Sequence, residues 1–562
     1  MPSYKISTII SSSFLFVQTL SFFLGIMLPA TARNTADLEL KIGVVQKFGE
    51  KLTDELTISS TPGNVLTLEF LGGNLQPQTL STDSVKLEMA QSNLKEPFLQ
   101  EYLVLSDHAT FETAEESARQ WKMLGIEVEV TQPERWQVWA KRSVYSSPLV
   151  RRLLLESLRS QGYEAPNLET KVVKQSPVVS FVVDGYRYNR RELKITAGNN
   201  RIKVIRGKNS RNSRLYGGKL KIQPNAYYNY TLVNDVPLET YLRGVVPHEI
   251  GIGAPYNAIK AQAILARTYA LRNLRRFAAD NYELCATTHC QVYFGLNGAA
   301  ENTDRAIAAT KGQVLTYNNE LVDALYSAST GGVTAPFTDV WNGIERPYLL
   351  SVIDAPTSVW NLSQQSLADE QNFRRFIDLK EGFNETASNA GKSVFRWNRS
   401  SSLEQLNQDL RKYLTKTKHP LADFTTIISM EVTERSPAGR VLVLTVQTDK
   451  GEVILEKNEA RSAFGPPRST LFYVEPLYEE VKEEQKSGQE KKPNDLLVQT
   501  PQLKGFAFVG GGFGHGVGMS QYGSYNLAKL GWSTDRILQF YYPGTQIKPL
   551  DGENPVVIPD RD

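Results

Sequence analysis

The chain has 562 residues, too many for one small module at roughly 150 residues per domain. With 41% hydrophobic and 22% charged residues it can bury a substantial core, which excludes global disorder. Lysine and arginine number 63 against 60 acidic residues, a net charge of +3, so composition gives no reason to expect a nucleic-acid partner, and two cysteines exclude a disulfide framework.

Residues 1–32 carry one positive charge, Lys5, and then an apolar run from Ile9 to Leu28 that ends in Pro29-Ala30-Thr31-Ala32. Small residues at that spacing predict a secretory signal peptide cut after Ala32. An uncleaved N-terminal anchor is the alternative. Either way the chain is expected to be exported, to a periplasm or cell wall. No later stretch reaches about 18 apolar residues, so no membrane span is expected once the leader is removed.

Residues 36–92 alternate apolar and polar, as in Leu38-Glu39-Leu40-Lys41-Ile42 and Leu66-Thr67-Leu68-Glu69-Phe70, and predict a small β module. Residues 98–175 change rhythm. A strand at 101–105 precedes a helix carrying Ala114, Ala118, Trp121 and Leu124. Gly125 stops it; a strand pair follows at 127–130 and 136–140, then a helix from about Pro148 to Leu158. The order βαββα, with a further strand near Val172, is ferredoxin-like. In pattern and spacing it resembles the SPOR domain, which implies a peptidoglycan-binding module that favours glycan stripped of its peptides. Strands return over 178–240. Residues 479–493 are a mixed charge run (Glu479, Glu480, Lys482, Glu483, Glu484, Lys486, Glu490, Lys491, Lys492), expected as a solvated insertion.

From Leu238 onward four motifs carry the chemistry. The first is Tyr241-Leu242-Arg243-Gly244-Val245-Val246-Pro247-His248-Glu249, leading into an Ala-rich helix that opens at Pro255. Glu249 is expected in the loop before that helix. A loop carboxyl at a cleft acts as general acid if burial raises its pKa; otherwise it is a solvated residue or a cap. The second motif, Cys285-Ala286-Thr287-Thr288-His289-Cys290, gathers both cysteines beside a histidine. Three such ligands suggest zinc, without an evident fourth; a short disulfide is the equal alternative in an exported chain. A cysteine nucleophile paired with His289 is disfavoured, because an exported thiol tends to oxidise. The third is Tyr326-Ser327-Ala328-Ser329-Thr330-Gly331-Gly332, whose small residues permit close backbone approach to a ligand or simply a tight turn. The fourth is Gly510-Gly511-Gly512-Phe513-Gly514-His515-Gly516-Val517-Gly518-Met519-Ser520-Gln521-Tyr522. It lacks the spacing and the Gly-Lys-Ser/Thr of a phosphate loop, and suits a sugar-contacting rim or a turn with a satisfied histidine.

These stretches, with Thr310-Lys311-Gly312-Gln313-Val314-Leu315, Arg435-Ser436-Pro437-Ala438-Gly439-Arg440 and Phe540-Tyr541-Tyr542-Pro543-Gly544-Thr545, resemble in order the SpoIID/LytB family over about residues 225–546. The resemblance implies an α+β fold, with a mixed-sheet catalytic domain over 178–550 preceded by the two small modules. It implies a lytic transglycosylase that cleaves the MurNAc–GlcNAc β-1,4 bond and leaves 1,6-anhydro ends. Ordinary glycosidases need two carboxylates; here the muramic 6-hydroxyl is the nucleophile, so one suffices. The Val-Pro-x-Glu stretch puts that role on Glu249. The Cys/His stretch maps zinc to Cys285, His289 and Cys290, although Ala286 stands where relatives often have Asp. His515, Gln521, Tyr522, Ser329, Gly331, Arg267 and Tyr293 are the candidate glycan contacts. The expected partners are peptidoglycan glycan strands. Some relatives are amidase enhancers, so the alternative is a non-catalytic regulator of a cell-wall amidase.

Overall fold

The computed structural model describes residues 38–355, 359–382, 389–479, 501–551 and 556–559. The expected leader and the charge run beyond Glu479 lie outside the described residues.

Exposed Glu39 and Lys41 alternate with buried Leu40 and Ile42 to open β1 (Glu39–Phe48), which is then covered on both faces at Gly43–Val45. There follow β2 (Glu55–Ser60), β3 (Leu66–Leu71), β4 (Pro77–Thr82) and the long β5 (Ser84–His108). Next come α1 (Phe111–Met123), β6 (Val128–Thr131), β7 (Trp136–Ala140), α2 (Pro148–Ser160) and β8 (Asn167–Val183). The chain continues through β9 (Tyr186–Arg190), β10 (Leu193–Ala197), β11 (Arg201–Arg206), β12 (Ser213–Gly217), β13 (Lys219–Pro224) and β14 (Tyr230–Pro237). Then come α3 (Leu238–Glu249), α4 (Tyr256–Arg272) and the short β15 (Leu284–Cys285).

One sheet runs β15–β1–β14–β13–β10–β3–β4; a second runs β12–β11–β2–β5–β7–β6, with β8 paired to β5 and β9 to β8. This corrects the expected division at both 36–92 and 178. β1 pairs antiparallel with β14, β2 with β11 and β3 with β10, so residues 36–92 share their sheets with 193–237 and do not form a module of their own. Alternation marks a strand with one buried face; it does not say which distant edge completes the sheet.

Residues 98–175 do form a βαββαβ unit, carried at the end of the long antiparallel β5–β8 ribbon that pairs from Leu87/Phe181 to Val104/Asn167. Its strand order, β8–β5–β7–β6, is ferredoxin-like. The Thr110 hydroxyl caps α1 by accepting from Thr113 N, and Ser147 caps α2 with Pro148 in its first turn. Phe111, Ala114 and Trp121 of α1 bury against Trp136 and Val138, and the same cluster takes in Phe277, Tyr282 and Cys285. Ion pairs of Glu115 with Arg275 and of Glu112 with Arg276 reinforce that contact. The other sheet face is occupied as well: Trp139 stacks on Tyr102 at 4.0 Å, and Tyr227 meets Trp139 edge-on.

α4 is buried all round, from Ala258 to Leu271, which is why its sequence shows no polar stripe. Packed on it are α3, α5 (Glu301–Ala309), β16 (Gln313–Tyr317) and the helices Gln521–Lys529 and Thr534–Tyr541. Two three-stranded antiparallel sheets and the helix Leu403–Lys416 enclose a separate core containing Phe424, Leu444, Phe472 and Phe508. Their strand Leu503–Gly511 delivers the Gly-rich segment 512–518 to the candidate site.

Candidate functional site

Glu249 is the last residue of α3, not a loop residue as its neighbours suggest. Gly244, the β-branched pair Val245-Val246 and Pro247 all argue against a helix locally. Burial of Tyr241, Leu242, Val245 and Val246 in the main core overrides that preference. Gly244 is required by contact: a Cβ there would lie 2.3 Å from the Gly295 carbonyl and 2.5 Å from the Tyr293 ring. His248 Nδ1 donates to the Gly244 carbonyl at 2.9 Å, which ties down the helix end.

The Glu249 carboxyl sits deep in the protein while the residue keeps partial solvent access. Val292 N–H donates to its Oε1 at 2.7 Å. The Gln521 and Tyr326 side chains also hydrogen-bond to it. Burial raises its pKa above the ordinary carboxylate range, partly offset by these three bonds. Its place at a helix C-terminus, where unpaired carbonyls carry partial negative charge, acts in the same direction as burial. The groups acting on its ionisation are thus a main-chain amide, an amide side chain and a phenol.

A chain of polar side chains extends from the carboxyl. Tyr241 donates to Gln291 Oε1 at 3.2 Å, Gln291 Nε2 donates to the Tyr326 hydroxyl at 3.0 Å, and Gln521 Nε2 donates to Gln262 Oε1 at 3.4 Å. Gln262 Nε2 and Ser327 Oγ are buried without a protein partner. Tyr326 reaches this place because β17 (Glu320–Leu321) and β18 (Tyr326–Ser327) follow β16, and β18 pairs in parallel with Met519–Ser520. That pairing sets Tyr326 beside Gln521. It depends on Gly518, at φ +70°, where a Cβ would come within 2.1 Å of the Leu325 carbonyl.

The expected contacts divide. Gln521 is at the carboxyl, and Tyr522 is half-buried beside it, its ring 5.6 Å from Tyr525. His515 lies just behind: Nδ1 accepts from Val517 N at 3.0 Å, the ring hydrogen-bonds the Tyr326 main chain, and Trp341 packs 5.1 Å away. Burial lowers its pKa to about 3, so it is a neutral positioning group for β18. Ser329 and Gly331 are buried, with Ser329 Oγ accepting from Gly331 N, and so shape the turn from within. Arg267 and Tyr293 are corrections. Arg267 is fully buried, with Nε and Nη2 each 2.8 Å from the Glu239 carboxylate and Nη1 2.9 Å from the Gln313 carbonyl. Tyr293 is 1% exposed and donates to Asn234. Their chemistry suits a sugar; their burial gives it to the core.

Gln291, Tyr326, Tyr241 and Gln262 went unselected in the sequence. Gln291 directly follows Cys290, and Tyr326 heads the Ser/Gly motif, so their adjacency to those motifs was the available signal.

Cys285 and Cys290 form a disulfide, and among the described residues no three His, Cys, Asp or Glu side chains converge as a metal group. His289 is exposed. The residues as arranged do not fit zinc: with both sulfurs bonded to each other, one imidazole is left of the three donors.

The site is a buried carboxyl with a raised pKa, ringed by neutral donors on a mixed-sheet α+β scaffold, a setting able to hold and release a proton. Residues 226–317 match the SpoIID family model, described as stage II sporulation protein, and 335–518 match a model described as a domain of unknown function. The chain is 28% identical over 415 residues to the amidase enhancer of Bacillus subtilis, covering 65% of this chain and 50% of that one. It is 27% identical over 336 residues to stage II sporulation protein D of the same organism, 57% of this chain and 76% of that one. Residues 226–317 thus carry a SpoIID domain, the chain is similar to proteins named amidase enhancer and stage II sporulation protein D, and it spans half the length of the amidase enhancer it matches.

Proposed function

We propose that this protein acts on the bacterial cell wall, as a lytic transglycosylase of peptidoglycan in which Glu249 is both acid and base. The observation that carries the reading is the raised pKa of Glu249 among neutral donors. A carboxyl whose pKa burial raises holds its proton more readily, and can pass it to the glycosidic oxygen as the bond to the muramic C1 breaks. The resulting carboxylate then takes the proton from the muramic 6-hydroxyl as that oxygen closes on C1. The proton balance returns to its start, water is not consumed, and the product is a 1,6-anhydro end. Val292 N–H, Gln521 and Tyr326 hold the carboxyl between the two oxygens and stabilise its charged form midway.

The substrate proposed is glycan stripped of stem peptides, with the βαββαβ unit as a SPOR-like accessory module. Action in a periplasm or cell wall is supported by the similarity to proteins named amidase enhancer and stage II sporulation protein D.

A second reading is favoured by the relative named amidase enhancer: a glycan-binding regulator of a cell-wall amidase. Product analysis on denuded glycan separates the two. Anhydro-muramic ends made by the wild type and lost in Glu249→Gln support the transglycosylase. Binding without cleavage by the wild type would transfer the function to the regulator.

A further inference from the structure

We propose that the Cys285–Cys290 bond is a positioning element of the Glu249 site: it sets the course of the chain so that the next two residues, Gln291 and Val292, meet Tyr326 and Glu249. The proposal rests on the reading of Glu249 as acid and base, and extends it to residues that touch neither the carboxyl nor a sugar.

One end of the staple is anchored. Cys285 closes β15, pairs with Gly43 of β1, and is buried beside Phe277, Tyr282 and Trp136. The other end, Cys290, is half-buried and begins an extended run without regular structure from Gln291 to Phe294. Between them, Ala286–His289 make a turn facing solvent. The main-chain bonds of this loop are few: Cys290 N to Thr287 O at 2.9 Å, and Tyr293 N to Ala286 O at 3.2 Å. Cys285 N–H also points at Cys290 Sγ, 3.0 Å away.

What leaves the loop is the wall of the site. Val292 donates to Glu249 at 2.7 Å, and Gln291 links Tyr241 to Tyr326. A main-chain N–H cannot be aimed by its own side chain; its direction follows from the backbone on either side. The disulfide supplies that constraint on one side. On the other, Leu296 N donates to the Leu215 carbonyl at 2.6 Å, tying the segment to β12.

A dithiol reductant opens the staple by thiol–disulfide exchange. Its thiolate attacks the sulfur of Cys290, the less buried of the two cysteines, the Cys285–Cys290 bond breaks, and the second thiol resolves the mixed disulfide. Two cysteine thiols result, and the reductant leaves as its own disulfide. In the reverse direction a disulfide donor accepts the two electrons, its sulfurs leaving as thiols.

The test uses the full exported chain purified without reductant. Alkylation of the denatured chain counts thiols, and elemental analysis counts zinc. Hydrogen exchange read by mass spectrometry follows 284–295 against 258–272 of α4, before and after dithiothreitol and in Cys290→Ala. The expected result is no free thiol and no zinc in the native protein. Opening the bond should speed exchange over 286–293 at least about tenfold, with α4 unchanged as the measure of an intact fold. Glycan cleavage should fall about 10²-fold in kcat with little change in KM, as misplaced catalytic contacts do. Two free thiols with about one equivalent of zinc in the native protein would overturn the proposal, as would unchanged exchange over 286–293 after opening. A protein that cleaves no glycan in either redox state refutes the acid/base reading of Glu249, and the exchange measurement then decides the positioning claim alone.

Discussion

Replacing Arg267 by methionine separates a structural arginine from a substrate-binding one. The side chain is wholly buried and makes three charge-assisted bonds, two to the Glu239 carboxylate and one to the Gln313 carbonyl. Removing one partner of a buried ion pair costs about 3–5 kcal/mol, mainly because the other charge is left without compensation. Glu239 is 25% exposed and recovers some hydration, so Arg267→Met should lie at the lower end, about 3 kcal/mol. Urea unfolding monitored by tryptophan fluorescence reads this as a lower midpoint. A cycle with Glu239→Leu should show a coupling of about 2 kcal/mol, because the double variant leaves no stranded carboxylate. Under conditions where the variant stays folded, KM for denuded glycan should be that of the wild type. Stability unchanged within about 0.5 kcal/mol together with a raised KM would refute the reasoning and return Arg267 to the substrate.

Glu249→Gln should lower glycan cleavage about 10²- to 10⁴-fold while the far-UV dichroism spectrum is retained, since the amide oxygen can still accept from Val292. The same variant should show a pH-dependent stability difference. A carboxyl whose folded pKa is raised above its unfolded value favours the folded state below the unfolded pKa, and that advantage is lost as pH rises through the folded pKa. Denaturant midpoints should therefore favour Glu249→Gln more at pH 8 than at pH 4; an equal difference at both would contradict the raised pKa. Gly518→Ala should destabilise the fold by about 3 kcal/mol or more, because its Cβ meets the Leu325 carbonyl and its φ is left-handed. Activity should fall in parallel as Gln521 shifts, and a fully stable, fully active variant would show that β18 does not need this close pass.

Several parts of the molecule were legible in the residues. The Ala-rich helix after Pro255 sits where its composition placed it, and the βαββαβ order at 98–175 follows its periodicity. The helical state of 241–249 was not legible, because Gly244, Val245, Val246 and Pro247 speak against it and only core burial reverses the balance. Nor was the interleaving of 36–92 with 193–237, which depends on strand partners more than a hundred residues apart.

At the site, the sequence by itself determined that two cysteines lie close enough to bond or to share a metal, and left Glu249 as either an acid or a solvated residue until the SpoIID/LytB resemblance singled it out. Only the tertiary structure decided which neighbours act on them. Gln521 comes to Glu249 across 272 positions by way of the parallel β18 contact, and Val292 across 43. Arg267 and Tyr293, polar and well placed in their motifs, are withdrawn into the core by ion pairing and packing. Residue type fixes what a side chain can do. Burial, partner and distance fix whether it does so, and these are properties of the assembled sheets and helices.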